Sequence, residues 1–452
     1  MGHRWAAVLL ASAILGAWHS APPAGDPLPL VERLGATDAA ARRGAADALI
    51  ASGDRRLLAP VVDQLFFTAP RLREQCLRVL AALSGEPLPR RYMEWVEYVS
   101  SRDDLAPPPG YLGWKGKLLA HIDRRFAALL REGVPVRLRA AEIVSGGVRF
   151  DGIPSLDQPP HVTAAEATYL QERETVFAAR LGGEARAWPV RILSWHEMLN
   201  DRLGGEPVTL SYCTLCRSAQ LFRGRLPGGE ETTFGTSGLL YRSNKLMFDH
   251  RTLTLWSNLT GEPLLGPLAA GAQPLEVLPL TTTTWGDWRR RHPDTTVLAL
   301  QPELGRRFGY DYVPGAADAR RAGVTFPVPR RDARLPEREE VYGLRLGAHV
   351  KAYPMATLLA AGVVDDAVGG EPVVLVAEAT SGAVRAYRRG THSLRLDAGG
   401  ALRDERGRQW EMGEEALRVN GGSESLERLP GVASYWFAWQ AFYPGSEVWV
   451  AH

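Results

Sequence analysis

The feature that constrains this chain most is an internal duplication. Shifting the sequence by 165 positions aligns residues 176–223 with 341–388 without a gap, and 15 of the 48 aligned positions are identical. The pentapeptide GGEPV at 204–208 recurs whole at 369–373. Self-similarity on this scale indicates two copies of one structural unit. We therefore assign the prolines and glycines that both copies share to the scaffold.

The duplication continues beyond this block with a smaller offset of 151 positions. A W-x-x-W motif at 285–288 recurs at 436–439. Each copy has the pattern of a strand, a short helix, a Gly-Gly turn, a β-hairpin, further strands and a W-x-x-W helix. We therefore predict an α+β fold whose β-rich part consists of two tandem homologous repeats, 141–310 and 335–452.

The sequence before these repeats has a different pattern, in which apolar residues recur at helical spacing. Residues 28–85 are predicted to form consecutive short helices that resemble HEAT-type repeats. Residues 86–140 are predicted to be a helical linker region, which includes one amphipathic helix over 117–133. An array this short cannot bury its own apolar face, and we therefore expect it to stack on the β-rich part. It could also offer a surface to a protein partner.

The N-terminus and the charge balance bear on location and partners. An almost unbroken apolar run at 6–18 is too short to span a bilayer comfortably and is typical of a secretory signal. We therefore predict a signal peptide at 1–24 and an extracytoplasmic location, periplasmic or secreted. No later segment is predicted to span a membrane. A net charge of +2 with a pI near 8.4 is too balanced to indicate a nucleic-acid partner.

Three cysteines exclude a disulfide scaffold, and two of them stand out. Cys76 lies on the apolar face of a predicted helix and is interpreted as a core residue. Cys213 and Cys216 align with Glu378 and Ser381 in the second copy. An element that both copies need cannot depend on thiols that only one copy has. The Cys-x-x-Cys pair is therefore assigned to function.

The second copy also predicts the local structure of this pair. Residues 372–389 have the pattern of a strand, a turn at 380–382 and a strand, which places residues 213–218 at a hairpin turn. Two thiolates on a tight turn facing one metal ion are typical of zinc ribbons and rubredoxin-like sites. A thioredoxin-type motif requires a long helix after the second cysteine, whereas an alternating strand follows here.

A third ligand is suggested by a histidine that the second copy replaces with alanine. His196 lies in a short helical segment, and we predict that it joins Cys213 and Cys216 in a transition-metal site. The fourth position is either open or filled from elsewhere, and the candidates at 244–252 are Met247, Asp249 and His250. Met247 would favour Cu(I), and His250 would favour zinc. The predicted cofactor is therefore copper or zinc. The sequence identifies neither a catalytic residue nor a reaction.

Two alternatives to the metal site stay open. In the first, the chain is a thiol-disulfide redox protein in which Cys213 and Cys216 cycle between dithiol and disulfide, while His196 tunes thiolate formation. In the second, it is a non-catalytic binding or scaffold module whose two cysteines form a static disulfide. The sequence does not choose among the three.

Ordered motifs along residues 140 to 450 resemble the DUF3179 family. They are RFDGIPSLDQP, EARAWPVRILSWHEMLND, GGEPVTLSYCTLCRSA, FGTSGLLYRSNKLMFDHRT, LWSNLTGE and ASYWFAWQAFYP. The resemblance implies an uncharacterised, extracytoplasmic bacterial domain without an established activity. The family pattern has proline and glycine where this chain has Thr214 and Arg217, and arginine where it has His250. Glycine permits positive φ, so Arg217 is expected to strain or loosen the turn.

Overall fold

The computed structural model describes residues 26–86, 91–271, 273–301 and 323–451. The predicted signal peptide, residues 1–24, lies outside these ranges. Within them, no helix is both long and apolar enough to cross a bilayer. The chain begins with seven helices: α1 (Leu28–Arg33), α2 (Ala39–Ser52), α3 (Leu58–Phe67), α4 (Glu74–Ser84), α5 (Tyr92–Ser100), α6 (Tyr111–Leu119) and α7 (Arg125–Leu129).

The ends of these helices follow from local sequence. Asp38 caps α2 by accepting a hydrogen bond from a backbone N–H at 2.7 Å. Gly53 and Gly85 end α2 and α4 in the left-handed conformation. The apolar faces of α1 to α6 form one core that extends to Val144 and Leu240 in the β-rich part. The array therefore stacks on the β-rich part, and its HEAT-type assignment stays a prediction.

The single amphipathic helix expected over 117–133 was wrong. Helix α6 ends at Leu119, α7 begins at Arg125, and Asp123 closes the turn between them by accepting from the Arg125 backbone N–H at 3.0 Å. A Cβ on Gly116 would lie 2.5 Å from the carbonyl oxygen of Leu130, so the chain folds back tightly on α6. Packing between the two segments thus overrides a continuous helical periodicity.

Among the residues that the structure describes, the first β-rich part contains fifteen strands and two α-helices. The strands are β1 (Ile143–Ser145), β2 (Leu156–Asp157), β3 (His161–Thr163), β4 (Thr175–Leu181), β5 (Glu184–Pro189), β6 (Met198–Leu203), β7 (Glu206–Cys213), β8 (Ser218–Arg223), β9 (Phe234–Tyr241), β10 (Asn244–Asp249), β11 (Leu255–Ser257), β12 (Pro263–Leu265), β13 (Val277–Leu278), β14 (Thr281–Thr284) and β15 (Thr296–Leu298), and the helices are α8 (Val190–His196) and α9 (Trp285–Arg291). They form three sheets, ordered β1-β9-β10-β11-β12, β13-β8-β7-β6-β2 and β14-β4-β5-β15-β3.

The second β-rich part contains twelve strands and two helices. The strands are β16 (Glu340–Leu346), β17 (His349–Pro354), β18 (Val363–Val368), β19 (Glu371–Glu378), β20 (Ala383–Arg388), β21 (Leu394–Leu396), β22 (Leu402–Asp404), β23 (Gln409–Met412), β24 (Ala416–Val419), β25 (Ser425–Leu429), β26 (Gly431–Tyr435) and β27 (Glu447–Val448), and the helices are α10 (Met355–Ala361) and α11 (Trp436–Phe442). They form two sheets, ordered β26-β16-β17-β27 and β18-β19-β20-β25-β24-β23-β22-β21.

Equivalent elements recur in the two parts with identical bounds. The run β4-β5-α8-β6-β7-β8 reappears as β16-β17-α10-β18-β19-β20 at the offset of 165 positions, and α9 reappears as α11 at 151. The sheet order β14-β4-β5-β15 likewise matches β26-β16-β17-β27. The parts differ in the strands between these blocks, which are β9 to β12 in the first repeat and β21 to β24 in the second. The α+β class is therefore confirmed. The assignment of two tandem homologous repeats stays a prediction that these matching bounds support, and each of the two parts, called the first and the second repeat below, has its own inserted strands.

A buried carboxylate joins the two repeats. Glu414 of the second repeat accepts hydrogen bonds from the Thr281 hydroxyl of the first at 2.6 Å and from Nε of Arg385 at 2.8 Å. All three residues are buried. Burial raises the pKa of Glu414, but the Arg385 guanidinium outweighs it, so this pKa lies well below its ordinary value. The carboxylate is therefore ionised and balances a fully buried arginine.

Replacing Glu414 with glutamine should cost about 3 kcal/mol of unfolding free energy, because it removes a counter-charge from a buried guanidinium. Thr281→Val, which removes only one hydrogen bond, should cost about 1 kcal/mol. Urea unfolding monitored by circular dichroism measures both. A cost below about 1 kcal/mol for Glu414→Gln would show that Glu378, whose carboxylate lies 2.7 Å from Arg385, balances the charge alone.

Candidate functional site

The Cys-x-x-Cys motif forms the turn between β7 and β8. Cys213 ends β7 and pairs with Ser218, the first residue of β8. The backbone N–H of Cys216 donates to the carbonyl of Cys213 at 3.3 Å, and the two thiols are close enough to hydrogen-bond each other. Both cysteines are free and buried, with exposures of 1% and 0%. The turn that the second repeat predicted therefore brings the two sulfurs together in the interior.

Three parts of the chain close over the sulfurs. The thiols pack in one cluster with Val328 and with Phe437 and Ala438 of α11. The backbone N–H of Val328 in turn donates to the Glu97 carboxylate of α5 at 3.1 Å. Leu215, at the tip of the turn, packs against the core of the helical array. The pair thus lies where the helical array and the two repeats meet, and no protein partner can reach either sulfur in this conformation.

Four non-glycine residues beside the pair have left-handed backbone conformations. Glu197 and Arg217 have φ angles of +56° and +52°, and the second repeat has a glycine at both equivalent positions. Arg242 and Ser243, in the turn between β9 and β10, have φ angles of +51° and +62°. Such conformations cost about 1 kcal/mol or more per residue and cluster where function requires particular side chains. The first repeat therefore has strained backbone around the Cys-x-x-Cys turn, whereas the second repeat has glycine at two of these positions.

Two of these strained residues contact the Cys-x-x-Cys turn directly. The thiol of Cys216 donates to the Ser243 carbonyl at 3.0 Å, and the Thr214 hydroxyl donates to the Glu197 carboxylate at 3.2 Å. Lys245 is 3% exposed and donates from Nζ to the Glu197 carbonyl at 2.7 Å. Its ammonium also lies 3.7 Å from the Glu197 carboxylate. A buried lysine and a glutamate are therefore part of the thiol environment.

The other two strained residues are anchored to neighbouring elements. Arg242 donates from Nε to the Glu142 carboxylate at 2.7 Å and from its guanidinium to the carbonyl of Ala441 in α11 at 2.8 Å. Arg217 forms an ion pair with Glu340 at 2.6 Å. These contacts hold the β9–β10 turn and the Cys-x-x-Cys turn against neighbouring elements. They thereby fix the position of the Ser243 carbonyl, which accepts a hydrogen bond from the Cys216 thiol.

The two thiols differ in acidity. Burial raises the pKa of Cys213, but the hydrogen bond from Cys216 and the backbone N–H and charge of Lys245 outweigh burial and the opposing charge of Glu197, so the pKa is lowered. Burial and the neighbouring Cys213 raise the pKa of Cys216 well above its ordinary value. For comparison, burial raises the pKa of the Cys76 thiol to about 11. Cys213 is therefore the more acidic of the two thiols.

The interior beside the pair is polar. The Ser218 hydroxyl accepts from the side-chain amides of Asn244 and Asn258, at 3.1 Å each, and all three residues are fully buried. Along β7, Thr209 and Ser211 precede the first cysteine on the same face of the strand, and both are valine in the second repeat. The first repeat thus replaces an apolar inner face with hydrogen-bonding groups.

His196 is not assembled with the two sulfurs into a three-ligand cluster. It ends α8, it is fully buried, and its Nδ1 donates to the Pro154 carbonyl at 2.8 Å. Burial lowers the pKa of its imidazole. Within the described ranges, one group of three or more His, Cys, Asp or Glu residues has ligand atoms that all lie within 4.8 Å of one another. It consists of His392, Asp404 and Glu405.

Met247 and His250 lie outside the cluster in which the two cysteines pack. Met247 is fully buried in an apolar cluster that includes Trp256. His250 follows the far end of β10, five residues beyond Lys245, which is about 16 Å along a strand. Its imidazole lies at the surface beside the Thr233 hydroxyl, at 3.0 Å. Neither residue therefore packs with the sulfurs, and their assignment as metal ligands stays a prediction.

Residues 150–446 match the family model described as "Protein of unknown function (DUF3179)". The chain belongs to the DUF3179 family. The match covers both repeats and the Cys-x-x-Cys turn, and the helical array precedes it. No curated protein and no solved structure matches this DUF3179 chain.

Sequence reasoning on this DUF3179 chain missed Lys245 and the two asparagines. All three come from the segment inserted in the first repeat, so no counterpart in the second repeat exposed them as unusual. Glu197 did carry a signal, because it stands where the second repeat has glycine. Reading that difference as backbone strain would have identified it.

The left-handed backbone at Arg217 makes a prediction for this DUF3179 protein. Arg217→Gly should be more stable than Arg217→Ala by about 1 kcal/mol, because both lose the side-chain contacts and only glycine tolerates a φ of +52° without Cβ strain. Urea unfolding of the two variants gives the difference. The same pair of substitutions at Arg388 in β20 is the control, where alanine should be the more stable. Equal or greater stability of Arg217→Ala would contradict the strain.

Proposed function

We propose that Cys213 and Cys216 bind one Cu(I) ion in a closed site formed by two sulfurs. One combination of features carries this proposal. Lys245 is buried and its charge favours a thiolate at Cys213. Among the described residues, no third ligand of the His, Cys, Asp or Glu type is clustered with both sulfurs. A structural packing role does not explain the lysine, since a buried apolar pair would need no buried ammonium near it.

The number and softness of the ligands favour copper over zinc. Thiolates are soft ligands that select Cu(I), which is satisfied by two of them. Zinc in a structural site takes four ligands, usually from cysteine and histidine. In the part of the chain that the structure describes, His196 and the acidic residues form no 4.8 Å cluster with the sulfurs. A zinc site would therefore require a rearrangement that a copper site does not.

The charge of the surroundings supports the same ion. Cu(I) held by two thiolates carries one net negative charge, and a buried charge needs a partner. The ammonium of Lys245 is buried, its charge acts on Cys213, and the Glu197 carboxylate lies 3.7 Å from it. Lys245 would therefore attract both anions, and the loaded site together with Lys245 and Glu197 would carry one net negative charge instead of two.

Burial limits what such a site could do. A catalytic metal keeps an open position for water or substrate, whereas these sulfurs are covered by Val328 and α11. The proposal is therefore a protein that holds copper, not one that uses it on a substrate. The predicted export of the chain belongs to the same proposal, as a copper-holding protein outside the cytoplasm.

A thiol-disulfide function is the second candidate, and one observation favours it. A lowered pKa at Cys213 beside a raised pKa at Cys216 makes Cys213 the thiol that deprotonates first, next to a thiol that keeps its proton. Oxidation by a partner disulfide would form the bond between the two sulfurs, pass two electrons to the partner and release the partner as a dithiol. Exchange needs in-line access of one sulfur to the partner, which the burial of both opposes.

The test is Cu(I) binding measured anaerobically on the full chain by competition with a chromophoric chelator. We expect one Cu(I) per chain, no tight binding after Cys213→Ser or Cys216→Ser, and unchanged binding after Cys76→Ser, a matched buried thiol elsewhere. Lys245→Met should weaken binding about tenfold, because the loaded site loses its counter-charge.

Circular dichroism of each variant checks that it is folded. The copper proposal would be refuted by binding that survives loss of both cysteines, or by a folded wild-type chain that takes up no copper. In the latter case, a Cys213–Cys216 disulfide that exchanges with dithiols in the folded chain would establish the redox candidate. An inert pair would leave the scaffold role.

A further inference from the structure

A buried histidine in the second repeat has one ring nitrogen without a hydrogen-bond partner. His392 lies between β20 and β21, is 8% exposed, and has its ring 5.2 Å from that of Trp410. Its Nε2 lies 2.6 Å from the Glu424 carboxylate, whereas its Nδ1 is buried and makes no hydrogen bond to any described residue. An unsatisfied buried polar group costs about 1 to 3 kcal/mol, so Nδ1 requires an explanation.

The hydrogen bond at Nε2 fixes which ring nitrogen carries the proton. The Arg408 guanidinium and His392 lower the pKa of Glu424, so its carboxylate is ionised and can only accept hydrogen bonds. Nε2 is therefore the N–H donor, and in the neutral imidazole Nδ1 has a lone pair. Histidines that bind metals usually donate their other ring N–H to a carboxylate in this way, which orients the ring and raises its basicity. Glu424 thus prepares Nδ1 to act as a ligand.

The distance from Nδ1 to a neighbouring carboxylate suits a shared metal ion. Oε1 of Glu405 lies 3.6 Å from Nδ1 of His392, which is too long for a hydrogen bond. Two ligand atoms that each lie about 2.0 to 2.2 Å from a tetrahedral zinc ion are about 3.4 Å apart. A proton on Nδ1 would remove the repulsion between the lone pair and the carboxylate, but it would have no acceptor within hydrogen-bond range. A cation between the two atoms satisfies both.

Glu405 is the acid in this group whose carboxylate has a free oxygen. Its Oε2 accepts from the Ser393 backbone N–H at 3.0 Å, which holds the carboxylate beside the imidazole. The exposed Arg406 side chain lies 3.8 Å from Oε1, too far for a hydrogen bond. Asp404 also has an oxygen within 4.8 Å of the other ligand atoms, but its carboxylate already accepts four hydrogen bonds within its own hairpin. Asp404 therefore adds negative charge, and Glu405 is the ligand.

We propose that Nδ1 of His392 and Oε1 of Glu405 bind one Zn²⁺ ion, with water in the remaining coordination positions. An imidazole with a carboxylate suits zinc, whereas Cu(I) is selected by soft thiolates. The side chain of Glu405 is 42% exposed, which gives the ion a path from solution and leaves room for the waters. The site lies beside strands that only the second repeat has, so it goes beyond the copper site and does not depend on it.

Isothermal titration calorimetry of Zn²⁺ into the full chain without a histidine tag tests this. The chain carries Cys213→Ser and Cys216→Ser, so that no zinc binds to the thiols, and we expect one zinc ion per chain. Glu405→Gln and His392→Gln should each weaken binding at least about tenfold, since even the loss of a residue that only orients a ligand costs that much. Glu427→Gln, which changes another exposed carboxylate of the second repeat, is the matched control and should leave binding unchanged.

A second variant tests the orientation of the ring. Glu424→Gln keeps an acceptor for Nε2 but loses the charge, and it should weaken zinc binding about tenfold while the zinc-edge X-ray absorption spectrum still shows one imidazole. In the wild-type chain, His392→Gln should lower the zinc capacity by one ion whatever the thiols bind, so the test also works if the double cysteine variant does not fold.

Three results would overturn the zinc site. They are the absence of saturable zinc binding, equal losses of affinity in Glu405→Gln and Glu427→Gln, and binding of Ca²⁺ as tight as that of Zn²⁺, which would reduce the site to a cluster of negative charge. None of them bears on whether Cys213 and Cys216 bind copper.

Discussion

The site depends on the burial of one ammonium group. Removing Lys245 from water is costly unless anions and carbonyls replace the lost solvation. Burial lowers the pKa of this lysine, and Glu197 and Cys213 oppose the shift. The left-handed backbone at Glu197 brings both its carbonyl and its carboxylate toward the ammonium, at 2.7 and 3.7 Å. The strain of that conformation is thereby offset by the solvation of a buried charge, and Cys213 becomes part of the charge balance.

The same site holds the architecture together. The Cys-x-x-Cys turn contacts the helical array through Leu215 and the second repeat through the Tyr435 N–H, which donates to the Cys216 carbonyl at 2.9 Å. Arg242 links the adjacent turn to Glu142 and α11. Exposure of the sulfurs therefore requires separation of elements from three parts of the chain. A function that needs open thiols would need such a separation, whereas a closed metal site would not.

The duplication explains how much the sequence could predict. It acted as an internal control, so the order of the shared elements and the hairpin turn at the cysteines could be predicted by comparing the two copies. This comparison gives nothing where the repeats differ. The inserted segment contains Lys245, Asn244 and Asn258 without counterparts, and residue type alone did not reveal that Met247 packs in a core or that His250 lies at the far end of its strand. The split between α6 and α7 was also missed, because contacts distant from the local pattern decide it.

X-ray absorption at the copper edge of the loaded wild-type chain tests the central claim most directly, because it counts and identifies the atoms bound to the ion. The two-sulfur site predicts a spectrum fitted by two sulfur neighbours alone, unchanged when His196 is replaced by alanine. Imidazole scattering, or a third and fourth neighbour that disappear with His196→Ala, would contradict a centre built from the Cys-x-x-Cys turn alone.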